Sequence, residues 1–306
     1  MSKVAFVFSG QGAQHAGMGK DLYDKNASVH ALFDRAEQIR PGTLSQMFSG
    51  DEETLRATEN TQPCLYLADL AAAIVLTEAG VLPSGVAGFS LGELPALSYA
   101  GAMDYINGFS MTVCRGELMG EATRKQATAM VAVVKLDNAT VEEACRAYSQ
   151  VYPVNYNCPG QLVVAGEATQ IADFSQSIRA LGGMALPMKV AGGFHSPFMN
   201  ESAAKFADLL AKTDFAAPAI PVYANRTGEL YDTEIVPVLS EQMNHPVLWE
   251  KTIRCMAADG FDTFIETGVG NVLAKLIKKT LPDARVYTVE TAEDAKKIAE
   301  EVSALA

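Results

Sequence analysis

At 306 residues, with 49% hydrophobic and 20% charged side chains, the chain has an ordinary globular composition and room for one large domain carrying a smaller insert. A formal net charge of -12 argues against general affinity for nucleic acid or an anionic membrane, so an anionic ligand needs a local basic pocket. Five scattered cysteines without C-x-x-C spacing, Cys64, Cys114, Cys145, Cys158 and Cys255, speak against a disulfide framework or a zinc site and for the reducing cytoplasm.

Val4 to Phe8 reads as a buried strand, too short for a signal-peptide core, and ends in the glycine-rich loop Ser9 to Gln14. That loop lacks the Gly-Lys-Ser/Thr of a P-loop and a complete G-x-G-x-x-G fingerprint. It is either a simple tight turn or, at the carboxyl end of the first strand, part of a site to which Gln11 contributes. Helical patterns follow from near Gly19, through Ala31 to Arg40 and through Gln62 to Ala79. The apolar stretch Leu65 to Leu76 is interrupted by Asp69 and too short to span a bilayer.

Val86 to Phe89 reads as a second buried strand, which breaks at Ser90 and becomes a helix from Leu91 to Tyr99. Gly88 and Gly92 bracket Ser90 in G-x-S-x-G spacing, the pattern of a strand that turns sharply into a helix and presents a hydroxyl at its apex. A helix starting at Leu91 would set unpaired N–H groups beside that hydroxyl, where an oxyanion forms during acyl transfer. In the next helix, Tyr105 to Gly120, Met111, Cys114 and Leu118 make an apolar stripe with Arg115 at its edge. By position alone Arg115 is ordinarily a surface arginine with its stem packed down.

From Thr128 the texture changes to strand Ala129 to Leu136, helix Thr140 to Tyr148, strands Val151 to Tyr156 and Leu162 to Ala165, helix Thr169 to Leu181 and strand Met184 to Val190. This β-α-β-β-α-β order is the split βαβ arrangement of ferredoxin-like domains, with Asn157-Cys158-Pro159-Gly160 turning the central hairpin. Residues 125–190 are thus expected to form a small inserted domain, and 1–124 with 191–306 a larger α/β domain. The larger domain resumes with helices around Met199 to Lys212, Leu239 to Gln242 and Val247 to Ala258, and with strands at Pro221 to Tyr223, Thr263 to Glu266 and Arg285 to Val289. Ala292 to Ala306 reads as a solvated terminal helix.

A serine nucleophile needs a base, and the chain has four histidines, His15, His30, His195 and His245. His30 sits in a charged helical stretch and His15 in the first glycine-rich loop. His195, in a Gly-Gly to Pro loop after a strand, has the better position for a site residue, with His245 the alternative. The order of an α/β-hydrolase, with an acid between the serine and a histidine near the chain end, does not fit, and a backbone carbonyl can orient the base instead.

Gly10-Gln11-Gly12-Ala13-Gln14, Gly88-Phe89-Ser90-Leu91-Gly92-Glu93, Arg115-Gly116 and Gly193-Phe194-His195-Ser196 together resemble the malonyl-CoA:acyl carrier protein transacylases. The likeness extends through Asn155 to Gln161, Asn244 to Trp249 and Glu266 to Gly270. It implies an α/β-hydrolase-like large domain with a ferredoxin-like small one. It also implies Ser90 as the acylated nucleophile, His195 as general base, the Gln242 carbonyl as its orienting partner, and the Gln11 and Leu91 N–H groups as oxyanion donors. Arg115 would then pair with the free malonyl carboxylate, and Phe194 would crowd the malonyl α-carbon and disfavour methylmalonyl. Malonyl-CoA and acyl carrier protein are the implied partners, with no cofactor, metal, nucleic acid or membrane, and with a monomer expected. The family usually has histidine before the nucleophile, where this chain has Phe89. Carrier proteins are acidic like this chain, so docking needs a basic patch, for which Arg124-Lys125, Lys189 and Lys275 to Lys279 are candidates.

Overall fold

The computed structural model describes residues 2–190, 192–231 and 234–304, and in it two separate sheets organise a mixed α/β chain. Ala191, at the expected domain boundary, and Leu305 and Ala306, at the end of the expected terminal helix, lie outside the described residues.

Strand β1 (Val4–Phe8) is buried at every position and so carries no polar face. After the glycine-rich loop come α1 (Lys20–Lys25), α2 (Ala27–Ile39), α3 (Thr43–Ser49), α4 (Glu52–Arg56) and α5 (Thr58–Glu78). Helix α5 is buried along most of its length, which its nearly continuous apolar run requires. Pro63 inside it cannot donate to the Glu59 carbonyl one turn back, and Arg40 Nη2 reaches that oxygen at 3.4 Å instead. Strand β2 (Gly85–Gly88) then leads through a 3-10 turn (Ser90–Gly92) into α6 (Glu93–Tyr99) and α7 (Tyr105–Lys125).

The next segment runs β3 (Thr128–Val134), α8 (Asn138–Arg146), β4 (Val151–Cys158), β5 (Gln161–Glu167), α9 (Ala168–Ala180) and β6 (Met184–Pro187). The chain returns through a 3-10 turn (Pro197–Met199) to α10 (Asn200–Leu210), β7 (Val222–Tyr223), α11 (Ile235–Ser240), a 3-10 turn (Gln242–Asn244), α12 (Trp249–Ala258), β8 (Thr263–Thr267), α13 (Val272–Thr280), β9 (Arg285–Val289) and α14 (Ala292–Ser303).

The larger sheet has the order β7-β2-β1-β8-β9 and is parallel throughout. The smaller one, β4-β5-β3-β6, is antiparallel throughout. Its strands alternate between two cores: Val131, Val133, Leu162 and Val164 pack with α8 and α9, whereas Met130, Val163 and Ala165 join the core shared with the larger sheet's helices. Main-chain bonds from Tyr156 N–H to the Val247 carbonyl (2.9 Å) and from Val247 N–H to the Val154 carbonyl (2.8 Å) tie this sheet to the segment before α12.

Several boundaries differ from the sequence reading. The helix expected from Leu91 begins as a 3-10 turn and becomes α-helical only at Glu93, because the backbone first has to reverse at Ser90. The helix expected over Leu239 to Gln242 is split, with α11 ending at Ser240 and Gln242 in a separate 3-10 turn. Strand β6 stops at Pro187, short of Val190, with one further main-chain bond, from Met188 N–H to the Met130 carbonyl at 3.0 Å. Helices α3, α4 and α13 were not anticipated, although Leu273, Leu276, Ile277 and Thr280 give α13 a regular buried stripe. No helix among the described residues is long and apolar enough to cross a membrane.

Candidate active site

The site lies where β1, β2 and β8 of the parallel sheet end, the usual crevice of an open α/β sheet. Ser90 has φ +54°, a left-handed conformation that few non-glycine residues adopt. The flanking glycines are needed for space. A Cβ on Gly88 would lie 1.9 Å from the Gly92 carbonyl oxygen, one on Gly92 2.2 Å from that of Phe8, and one on Gly10 2.7 Å from that of Phe89. Asn225, just beyond β7, holds the turn by accepting from the Ser90 N–H at 2.6 Å and donating to the Gly88 carbonyl.

His195, also at positive φ (+60°), reaches the serine from the loop before the Pro197–Met199 turn. Its Nδ1 lies 2.9 Å from the Gln242 carbonyl oxygen and its Nε2 2.6 Å from Ser90 Oγ. A carbonyl can only accept, so the proton belongs on Nδ1 and Nε2 is left to accept from the serine hydroxyl. Burial and the nearby Arg115 charge push the His195 pKa down to about 4, so the imidazole is neutral at physiological pH.

Arg115 is only 1% exposed, contrary to the ordinary surface reading of its position. Gly116 and Gly120 bring α7 against α5, since Cβ atoms there would meet Glu59 at 3.2 and 2.5 Å, and the arginine is enclosed between the helices and Ser90. Its Nη1 donates to Gln62 Oε1 (2.6 Å) and its Nη2 to Gln242 Oε1 (2.8 Å), with Ser90 Oγ 3.3 Å from Nη2. Nε has no partner among the described residues. Burial lowers its pKa to about 10, which still leaves it charged at pH 7.

The side-chain oxygen of Gln11 accepts from Thr58 Oγ1 at 2.8 Å, fixing the first loop against the start of α5. The backbone N–H groups of Gln11 and Leu91 make no hydrogen bond among the described residues. Phe194 is buried beside His195 in the shared core. Phe89 packs edge-on against Trp249, with ring centroids 5.5 Å apart, in the apolar cluster of α12 and α13.

The other histidines lie elsewhere: His15 pairs with Glu290 (2.6 Å), His30 stacks on Tyr23 (4.1 Å between centroids), and His245 Nδ1 contacts the Glu241 carbonyl (2.9 Å). A cleft of 710 Å³ lined by Gln11, Gln14, His15, Arg56, Met188 and Lys189, among others, approaches the site between the first loop, α4 and the end of β6.

Gln62, Glu93, Asn225 and Tyr231, none of them a site residue expected from the sequence, are joined to the site by hydrogen bonds. Glu93 closes the nucleophile motif and Asn225 follows a strand end, and both positions are signals in themselves. Among the candidate docking cations, Arg124, Lys125 and Lys189 pair with Glu59, Glu201 and Glu52. Lys275 and Lys279 are exposed and form no ion pair among the described residues.

A serine on a strained strand-to-helix turn, hydrogen-bonded to a buried neutral histidine, is the arrangement that acyl transfer through serine requires. The family model for the acyl transferase domain matches residues 5–302. The malonyl CoA-acyl carrier protein transacylase of Bacillus subtilis is 36% identical over 301 residues, covering 96% of this chain and 94% of the relative. The solved transacylase of the same name from Clostridium perfringens superposes with a TM-score of 0.95 at 32% identity, covering 99% of this chain and 98% of the other. A malonyl-transacylase solved in complex with its type II PKS acyl-carrier protein gives 0.94 at 33% identity, over 98% of this chain and 100% of that one. The chain belongs to the acyl transferase domain family and, within it, to the malonyl-CoA:acyl carrier protein transacylases.

Proposed function

We propose that the chain is an S-malonyltransferase, moving malonyl from malonyl-CoA to the phosphopantetheine thiol of acyl carrier protein through a malonyl ester of Ser90, in fatty-acid or polyketide synthesis. The observation that carries this reading is the relay from Ser90 Oγ to His195 Nε2 (2.6 Å) and from His195 Nδ1 to the Gln242 carbonyl (2.9 Å), with Arg115 Nη2 3.3 Å from the nucleophile.

His195 takes the hydroxyl proton as Ser90 Oγ bonds to the thioester carbon. The oxyanion is held by the N–H groups of Gln11 and Leu91, the C–S bond breaks, and the coenzyme A sulfur leaves with the proton from His195. In the second half-reaction His195 takes the carrier thiol proton, the sulfur attacks the ester, and the proton returns to Ser90 Oγ. Arg115, its amide acceptors already in place, uses its remaining N–H donors on the free malonyl carboxylate. Phe194 limits space at the α-carbon. Every proton and charge in this scheme is handled by side chains and backbone, so no cofactor or metal is required.

The strand order β4-β5-β3-β6 supports a ferredoxin-like unit over residues 125–190, and the serine turn on a parallel sheet supports a hydrolase-like unit over 1–124 and 191–306. The unpaired lysines Lys275 and Lys279 on α13 are the favoured docking charges for an acidic carrier. A cytoplasmic monomer completes the reading, in keeping with five free cysteines.

Incubation with malonyl-CoA and holo acyl carrier protein, followed by separation of carrier-bound malonyl from free malonate, tests the transfer. Carrier-bound product should dominate and vanish in Ser90→Ala. Predominant free malonate in the presence of carrier would make the protein a hydrolase and overturn the proposal.

A further inference from the structure

Behind the nucleophile lies a carboxyl group that touches none of the reacting atoms. Glu93, the first residue of α6, is fully buried and accepts from Gln242 Nε2 on Oε2 (2.9 Å) and from the Tyr231 hydroxyl (2.6 Å) and Asn225 N–H (3.1 Å) on Oε1. Burying a carboxyl group is unfavourable unless its oxygens are satisfied, and here three donors from two other segments converge on it. The titratable groups facing it are Arg115 on α7 and Tyr231 beyond β7, and the other partners are neutral.

Gln242 is the hub of the site. Its carbonyl accepts from His195, its Oε1 from Arg115 (2.8 Å), and its Nε2 donates to both the Ser90 carbonyl (2.5 Å) and Glu93. A glutamine amide can be turned end for end, and the turned form would aim N–H donors at the Arg115 guanidinium and its oxygen at the Ser90 carbonyl. A carboxylate accepts only. Opposite Nε2 it adds a charged restraint to the orientation that Arg115 and the Ser90 carbonyl also favour, the one that leaves Oε1 facing Arg115.

We propose that ionised Glu93 is a positioning residue that fixes the amide orientation of Gln242 and, through it, the placement of Arg115 and the His195 orienting carbonyl. The inference rests on the acyl-transfer reading of the site. Burial lifts the Glu93 pKa to about 6, so Glu93 is ionised at neutral pH and gains a proton just below it. His195, pushed down to about 4, titrates lower, so the two are separable in a pH profile.

The test compares the wild-type protein with Glu93→Gln, Glu93→Asp, Gln242→Ala and the Glu93→Gln/Gln242→Ala double variant. Serine acylation by malonyl-CoA is followed from pH 5 to 8, and the His195 Nδ1–H proton by NMR without substrate. In the wild type, kcat/KM should fall as pH drops through about 6. Glu93→Gln should lose about 10- to 100-fold at pH 7.5, lose that inflexion, and shift the imidazole proton. Its loss should not add to that of Gln242→Ala, because both act through one amide. Glu93→Asp, which keeps the charge, should restore the inflexion and part of the rate.

A Glu93→Gln variant within twofold of wild type, or one whose loss adds fully to that of Gln242→Ala, would overturn the proposal. If the wild type takes no malonyl at all, the functional reading fails by itself, and the His195 proton still decides the role of Glu93. An unchanged signal in Glu93→Gln refutes that role, and a shifted one supports it.

Discussion

At the scale of single residues, the site depends on two side chains whose surroundings change what they are. A buried arginine, its pKa lowered by burial and raised by the Glu93 charge, stays charged with its Nη groups bonded to Gln62 and Gln242, and a buried histidine is held neutral by burial and by that same arginine. Their proximity makes the histidine a free base at neutral pH and, on the proposed function, offers a substrate carboxylate a desolvated cation. Replacing Arg115 with alanine removes that cation. A penalty of about 2–5 kcal/mol in malonyl transfer is expected, the range for losing one partner of a buried charge pair. Acylation by acetyl-CoA, which has no free carboxylate, should fall much less, and the ratio of the two kcat/KM values checks this. Arg115 was not legible from its own position. Its burial arises from Gly116 and Gly120 closing α7 onto α5, a contact between segments about fifty residues apart in sequence. Ser90 was legible, because the glycines that its turn needs for space are adjacent to it in the chain.

At the scale of elements, the Ser90 turn is a packing problem solved by missing side chains. Gly92 has ordinary φ (−57°) but lies where a Cβ would press on the β1 backbone, which cannot move without breaking the sheet. Gly80 is the opposite case, with φ +92° and nothing within 4 Å of an added Cβ. Urea unfolding should therefore show Gly80→Ala losing about 1 kcal/mol for backbone strain and Gly92→Ala clearly more, about 2–4 kcal/mol, from overpacking. Equal losses would contradict this account of the turn. The same scale explains the errors in the element reading. The β-α-β-β-α-β segment is readable because β3 and β5 contribute apolar residues to cores on both sides of the sheet, while the edge strand β6 stays largely exposed. Helix α13 is masked in the sequence by its lysines, although its buried positions repeat at i, i+3, i+4 and i+7. Glu93 and Asn225 meet across the sheet, 132 positions apart, and no local pattern reports that contact.

At the scale of the whole molecule, the parallel sheet supplies the turn, the first loop and the strand ends, while the antiparallel sheet is tied to the segment before α12 by the bond from Val247 N–H to the Val154 carbonyl. This leaves a cleft at their junction, with the first loop on one wall and the end of β6 on the other. Solved structures at 29–33% identity superpose on this chain at TM-scores of 0.91 to 0.95. The central claim is that the serine at the bottom of this architecture carries the acyl group between two thiols. Intact-protein mass spectrometry after mixing with malonyl-CoA alone tests it most directly. The wild-type protein should gain a single malonyl-sized mass, and Ser90→Ala should gain none. An unmodified wild-type protein with malonyl-CoA left intact, or an adduct that persists in the serine variant, would contradict it.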